Sequence, residues 1–493
     1  MGFSDIGCFG GEIETPNLDG LAYRGVRLTS FTNNAVCMST RASLLTGLWA
    51  QQAGSGPGFN LRPDNNVTIA EVLKGAGYQT FLSGKWHNGN APDEAPWARG
   101  FERYYGLLSG SSNYFNPGLP RPGEPPPAHK RDGDMRPWGR DGEILHPFTP
   151  EDPDFYATDA FTDAAVGYLD ACRNDDRPFF LYLAYTAPHF PIQARPEDIA
   201  KYRGRYMAGW DEMRRRRFER LRDMGIADDA WRLSDRDGLV PEWDACAAKD
   251  ELDLRMAVYA AMVDRMDQGI GRVLAKLRET GREDNTLVMF LSDNGGCGER
   301  INRTPHVAPG PVDSYCTVGA SWANASNTPF RRYKVFTHEG GIATPLVACW
   351  PAGIPRPGRI ERDTGHLIDL LPTILDAAGA GYPAEFGGRS VLPCEGQSLL
   401  SALRGDTRAE REKALFWDFR GCRAVRKGRW KIVTEGHPRL HINIPLPFAT
   451  GAWELYDLET DRCETNDLSD RHPDIVRDLE ALWLDWNTRC GRA

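Results

Sequence analysis

The stretch Val36-Cys37-Met38-Ser39-Thr40-Arg41-Ala42-Ser43-Leu44-Leu45-Thr46-Gly47 sets a lone thiol ahead of a threonine, an arginine and a run that turns helical. The pattern predicts a helix starting near Cys37, with Leu44 and Leu45 available to bury. Unpaired N–H groups and the dipole at a helix N-terminus favour negative charge, so an anionic group delivered to Cys37 meets a prepared site. Arg41, one turn further on, adds a fixed cation. The same residues also suit a buried structural thiol, because free cysteine is among the most buried residue types. The rest of the chain decides between the two.

Its 493 residues can bury a large core and hold two or three domains, or one large domain with a smaller one. Hydrophobic content of 41% and charged content of 26% are ordinary for a globular protein. The net charge of -9 argues against general nucleic-acid binding, which needs a positive surface to meet phosphates. An anionic substrate stays open, since a local cluster of cations can focus field inside an acidic protein. The 11 cysteines are scattered without a CxxC pair, so neither a zinc knuckle nor a dense disulfide framework is indicated. No apolar run reaches the length of a membrane span, and Met1-Gly2-Phe3-Ser4-Asp5 does not read as a secretory signal.

Working outward from Cys37, a series of strands each ends in a chemically loaded turn. Thr15 to Ala22 reads as a short amphipathic helix and Val26 to Phe31 as a strand. Ile69 to Ala76 has apolar residues at helical spacing, and Tyr78 to Ser83 then forms a strand that delivers Gly84-Lys85-Trp86-His87 to its carboxyl end. That end is where ligands bind in open α/β sheets. Residues 110 to 152, rich in proline, glycine and charge, read as a long irregular loop near the active face. Asp159 to Arg173 is helical, and Pro178 to Tyr185 is a strand apolar enough to be covered on both faces. Thr186-Ala187-Pro188-His189 follows at once. Arg214 to Arg217 is expected on a solvated helix face, and Arg255 to Thr280 is a long amphipathic helix. Thr286 to Leu291 is a further strand, ending in Ser292-Asp293-Asn294-Gly295-Gly296, and Ile342 to Trp350 another, preceded by Lys334 and His338. Past about Gly387 the character changes to short strands, Leu415 to Phe419, Cys422 to Arg426 and Trp430 to Val433, closed by a helix over Ile475 to Trp486.

Hydrolysing an ester of a three-oxygen anion needs cations around it, a nucleophile in line and an acid for the leaving oxygen. Arg41, Lys85 and Lys334 supply cations. Asp293 and Asn294 are adjacent oxygen donors suited to a hard cation, calcium first and magnesium second, although calcium takes six to eight ligands and two donors cannot hold it alone.

Cys37, Arg41 and Leu44 to Gly47, followed in order by Lys85 with His87, His189, Asp293 with Asn294, and Lys334 with His338, resemble the sulfatase family along essentially the whole chain. Two positions depart from its signature, Ser39 where proline or alanine is usual and Thr40 where serine is commoner. The segment Thr15 to Ala22 and the C-terminal pieces Leu415 to Gly421, Arg423 to Lys431 and Trp453 to Leu458 resemble the same family. The resemblance implies an alkaline-phosphatase-like α/β core, a mixed, mostly parallel sheet covered by helices on both faces, over residues 1–386. A small C-terminal α+β subdomain with an antiparallel sheet takes residues 387–493. It implies that Cys37 is oxidised to formylglycine by a maturation enzyme and attacks the sulfur of a small-molecule or carbohydrate sulfate ester as the aldehyde hydrate. His87 with Lys85 is the base that collapses the sulfated intermediate, His189 with Lys334 assists the leaving oxygen, and Arg41 holds the nucleophile. Lys85, His189, Lys334 and His338 contact the sulfate, and Asp293, Asn294 and residue 37 bind the metal. For His338, a turn shaped by Glu339, Gly340 and Gly341 is the equal alternative. In the family an apolar strand ending in two metal-binding aspartates precedes the residues matching Gly2 to Cys8, so Met1 stands where that strand should just have finished. Either the start lies upstream, or the chain is shortened, or it lacks the pair. A signal peptide upstream would make the protein periplasmic or secreted, and otherwise it is cytoplasmic. A phosphate or phosphonate ester hydrolase of the same superfamily and a catalytically impaired relative are the competing readings.

Overall fold

In the computed structural model of the chain, which describes residues 1–54, 56, 58–406, 411–436 and 451–491, alternate residues of the central strands feed two separate hydrophobic cores. Phe81 and Tyr105 point into one core, Leu82 and Tyr104 into the other. Val347 and Cys349 face the first, Leu346 and Ala348 the second. This period of two on a sheet covered on both faces explains why these strands carry few polar residues.

The sheet comes in two parts. One has five strands in the order Glu143–Leu145, Trp138–Arg140, Arg103–Leu107, Gln79–Gly84 and Phe179–Ala184, the last three parallel. The other has four, in the order Arg359–Glu361, Val26–Leu28, Leu346–Cys349 and Val288–Phe290; its first pair is parallel and the other two antiparallel. Helices Pro16–Arg24, Ala157–Ala171 and Lys249–Glu279 line one face, and Cys37–Thr46, Ile69–Gly75 and Leu370–Ala378 the other. The start of Ile69–Gly75 is fixed by a reciprocal cap: Glu71 N–H donates to Thr68 Oγ1 at 3.1 Å, and Thr68 N–H to Glu71 Oε2 at 2.7 Å.

Three expectations change. The loop over 110 to 152 is not wholly irregular, because residues 138–145 form a hairpin that extends the five-stranded part. The run Arg214 to Arg217 lies on helix Gly209–Asp223, yet only Arg215 and Arg216 are solvated. Arg217 is buried against Asp5 and Glu12, at 2.8 and 2.7 Å, and Arg214 donates to Ser234 Oγ at 2.8 Å, because helical periodicity turns those two inward. The strand at 179–184, expected to be covered on both faces, is mostly half-buried, as is 288–290, since each is the edge of its part of the sheet.

Strands Leu415–Phe419, Cys422–Lys427, Trp430–Thr434 and Glu454–Asp457 form an antiparallel sheet, with helix Pro473–Arg489 packed on it. This sheet shares a core with the catalytic part: Trp417, Ile432 and Trp486 belong to the same cluster as Val26, Leu45 and Leu82. Among the described residues no helix is long and apolar enough to cross a membrane.

Candidate active site

Helix Cys37–Thr46 begins at the thiol, with Val36 as its extended N-cap. Asn34 N–H donates to Thr40 Oγ1 at 3.1 Å, and Ser39 Oγ donates to Val36 O at 3.0 Å. Ser39 and Thr40 therefore brace the turn that aims Cys37, a use for the two departures that the sequence did not suggest. Gly84 ends its strand at φ +115°, where a Cβ would stand 2.1 Å from Ala184 O. Only glycine allows that approach, and it brings Lys85 N–H to Ala184 O at 2.7 Å and turns Lys85 and His87 toward the thiol.

His87 Nδ1 lies 3.4 Å from Cys37 Sγ. Arg41 donates to Asp293 Oδ2 through Nε at 3.1 Å and through a terminal nitrogen at 2.8 Å; its other terminal nitrogen donates to Lys85 O at 2.7 Å and to the Tyr182 hydroxyl at 3.3 Å. Lys334 Nζ donates to His189 Nε2 at 3.3 Å. His189 Nδ1 sits 2.7 Å from Phe190 O, which assigns the ring proton to Nδ1 and leaves Nε2 as the acceptor for Lys334. The structure thus gathers Cys37, Arg41, Lys85, His87, His189, Asp293, Asn294 and Lys334 from five separate segments.

Burial sets the charge state of the two histidines. Desolvation, followed by Lys85 and Arg41, pushes His87 well below the ordinary imidazole range. Desolvation, followed by Lys334 and Lys85, does the same to His189. Both rings are neutral near pH 7. Burial also lowers Lys85. Lys334 is held above the usual lysine range, because Cys297, Cys37 and Glu299 outweigh its burial. Asp293 stays ionised, with Arg41 and Lys85 overcoming the upward pull of its burial. Three cations against Asp293 and the nearby Glu299, 3.8 Å from Lys334, make a positive pocket inside a chain of net charge -9.

Gly295 N–H donates to Gly341 O at 3.0 Å, which fixes the turn carrying Asp293 and Asn294. Asn294 Nδ2 donates to Gly295 O at 2.8 Å, whereas Asn294 Oδ1 is buried without a protein partner. A buried acceptor left unpaired costs about 1–3 kcal/mol, and a cation beside Asp293 would satisfy it. Asp293 and Asn294 are oxygen donors of the kind a hard metal ion takes, two of the six to eight that calcium needs.

His338 takes another place. It is fully buried, with Nε2 3.1 Å from Glu454 Oε2 on a strand of the C-terminal sheet. The alternative, in which residues 338–341 shape a turn, matches the helical turn found over Glu339–Ile342. His338, Glu435 and Glu454 together resemble a metal cluster, but Arg331 lies 3.4 Å from Glu454 and Arg332 donates to Glu435 at 2.7 Å. The carboxylates already have cations, so the cluster is an ion-pair network. Tyr182 and Glu299 were missed in the sequence. Alternation along the Phe179–Ala184 strand puts Tyr182 on the Arg41 face, a signal visible only once the strand's neighbours are known.

The sulfatase family profile matches residues 1–380, and that of the N-sulphoglucosamine sulphohydrolase C-terminal region matches residues 331–483. An uncharacterized sulfatase of Schizosaccharomyces pombe is 34% identical over 100% of this chain and 92% of its own length. An arylsulfatase of Klebsiella aerogenes is 35% identical over 83% of this chain and 91% of its own. Among solved structures, Ps i-CgsB in complex with a neocarrahexaose superposes with a TM-score of 0.69 at 25% identity, covering 99% of this chain and 90% of that one. With a cationic pocket around a thiol at a helix start, and with these matches spanning the chain, the protein belongs to the sulfatase family and is a sulfuric ester hydrolase of the alkaline-phosphatase-like fold.

Proposed function

We propose that this chain hydrolyses a carbohydrate or aryl sulfate ester with residue 37, matured to formylglycine, as nucleophile and a divalent metal, calcium or magnesium, as cofactor. The observation that carries the reading is the contact between Cys37 and the neutral base His87 inside a ring of three cations. A hydrated aldehyde at residue 37 supplies a hydroxyl to attack sulfur and a second hydroxyl for release of sulfate. His87 Nδ1, beside the position now held by Sγ, takes the proton from that second hydroxyl. Lys85 meets the sulfate oxygens, Arg41 holds the nucleophile's surroundings through Asp293 and Lys85 O and adds positive charge, and Lys334 carries the proton that the leaving oxygen receives, with His189 as its neutral partner. Asp293 and Asn294 would hold the metal, which supplies positive charge to polarise a sulfate oxygen. The arylsulfatase relative and the oligosaccharide-bound neighbour support the substrate class.

The test pairs an aryl sulfate with the matching aryl phosphate, using chain co-expressed with a formylglycine-generating enzyme and supplied with calcium. The sulfate is expected to turn over with the higher kcat/KM, and the Cys37 peptide to lose mass relative to the thiol. A phosphate preference would replace the proposal with the phosphate or phosphonate hydrolase. Absence of turnover by fully modified, metal-loaded protein would identify an impaired relative.

A further inference from the structure

Two residues beside the reacting side chains hold backbone shapes that their own side chains resist. Val335, next to Lys334, has φ +89°, and Ala35, two residues before Cys37, has φ +62°. A left-handed backbone is strained for a residue with a Cβ, and most of all for a β-branched one. It persists only where the surroundings hold it there. The two strained residues are bonded to each other, because Val335 N–H donates to Ala35 O at 3.0 Å. That bond ties the loop carrying Lys334 to the loop carrying the nucleophile.

Two asparagines, Asn33 and Asn327, support the strained pair. Both are completely buried, and neither is one of the eight residues gathered in the site. Asn33 Oδ1 accepts from Ala35 N–H at 2.9 Å, and its Nδ2 donates at 3.2 Å to the carbonyl of Ser292, the residue before Asp293. Asn327 Oδ1 accepts from Gly296 N–H at 2.8 Å, and its Nδ2 donates to Arg332 O at 3.0 Å. Lys334 N–H in turn donates to Gly296 O at 3.0 Å. These bonds close a ring through three loops: residues 33–35 ahead of the nucleophile, 292–296 around Asp293 and Asn294, and 327–335 up to Lys334. Each amide meets a backbone N–H with its oxygen and a carbonyl with its nitrogen, so the position needs a donor and an acceptor together. Aspartate lacks the donor and alanine lacks both.

We propose that Asn327 is a positioning residue of the reaction, which acts with the strained Val335 to set Lys334 against the leaving oxygen. The inference rests on the proton-carrying role given to Lys334 above. Lys334 Nζ reaches His189 Nε2 at 3.3 Å, and a displacement of about 1 Å in a reacting group can cost about a hundredfold in rate. Val335 supplies the second hold, since its side chain packs on the core shared with the C-terminal sheet.

Two aryl sulfates read the position of the acid. 4-Nitrophenyl sulfate releases a stable phenolate that needs little protonation, whereas 4-methoxyphenyl sulfate releases a basic one that depends on it. The full chain, matured and supplied with calcium, is compared with Lys334→Ala, which is expected to lose most on the methoxyphenyl ester. Asn327→Ala is expected to lower kcat/KM by about tenfold or more for the methoxyphenyl ester and by less than about threefold for the nitrophenyl ester. Added to Lys334→Ala it is expected to cost less than about a further threefold on either ester, because it acts through that lysine. A residue that only held the fold would lower both esters alike. If Asn327→Ala does not fold, Val335→Gly decides: glycine takes φ +89° without strain, and loss of the valine anchor is expected to give the same selective loss with Tm within a few degrees of the parent. Equal losses on the two esters, or full additivity with Lys334→Ala, overturn the proposal and leave the acid assigned. A Lys334→Ala enzyme with the parent's ratio between the esters removes the acid itself, and the inference with it.

Discussion

At the scale of the residue, the chemistry rests on burial fixing protonation. His87 is depressed by desolvation and by Lys85 and Arg41, so it remains a free base below the ordinary imidazole pKa of about 6.5. The acid limb of kcat/KM is therefore expected on the acid side of the ordinary imidazole value, and His87→Ala should lower kcat by about 10²–10⁴-fold, the usual worth of a positioned acid–base group. A limb centred on pH 6.5 or above would contradict the assigned state of the base. Asn294 allows a separate test, because its Oδ1 is buried without a partner. Asn294→Ala should leave Tm unchanged or slightly raised in metal-free protein, since an unsatisfied acceptor is removed. The same variant should raise the metal concentration for half-maximal activity by about tenfold or more. An unchanged metal requirement, measured by calcium titration of activity, would remove Asn294 from the proposed ligand set.

Elements place these residues, and one junction between elements dominates. Lys431 on strand Trp430–Thr434 reaches Glu339 at 2.9 Å and Glu464 at 2.7 Å, all three fully buried. Arg462 Nε adds a bond to Glu339 at 3.3 Å. Burial would raise Glu339, but Lys431 and Arg462 bring its carboxyl down to about 2. The network joins the C-terminal sheet to the turn Glu339–Ile342, whose glycines in turn fix Gly295 behind the Asp293–Asn294 pair. Lys431→Met leaves two buried carboxylates short of a cation and is expected to cost about 3–5 kcal/mol, read from urea unfolding. A double change, Lys431→Met with Glu339→Gln, should recover part of that loss, because the uncompensated charge is what destabilises. Additive losses would show that the network acts by packing alone.

At the scale of the whole molecule, four histidines among the described residues, His87, His129, His189 and His366, are held below their ordinary pKa, chiefly by desolvation. As the pH falls through about 6.5 the unfolded chain takes up protons that the folded chain refuses, so stability present above that value is lost on the acid side. Each such group steepens the loss by up to about 1.4 kcal/mol per pH unit. His366 is the cleanest test: Nδ1 accepts from Ile368 N–H at 3.3 Å and Nε2 lies 3.1 Å from Asn34 Oδ1, so both nitrogens are committed in the neutral ring. His366→Gln should flatten the fall in unfolding free energy between pH 7 and pH 5 by about one such increment. An unchanged slope would mean that His366 titrates alike in both states. The sequence by itself determined the order of strands and turns, because period-two apolar runs and loaded turns are local patterns, and its resemblance to the sulfatase family named the class of fold and all eight residues gathered in the site, Cys37 among them. It also located both C-terminal features, the short strands and the closing helix. Only the tertiary structure decided that His338 lies against Glu454 of the C-terminal sheet, that Arg214 and Arg217 turn inward, and that the strand read as covered on both faces, Phe179–Ala184, faces Val288–Phe290 across a cavity. Those outcomes depend on which distant segment lies opposite a residue. A strand's sequence states that it can be buried on both sides, and its neighbours settle whether it is.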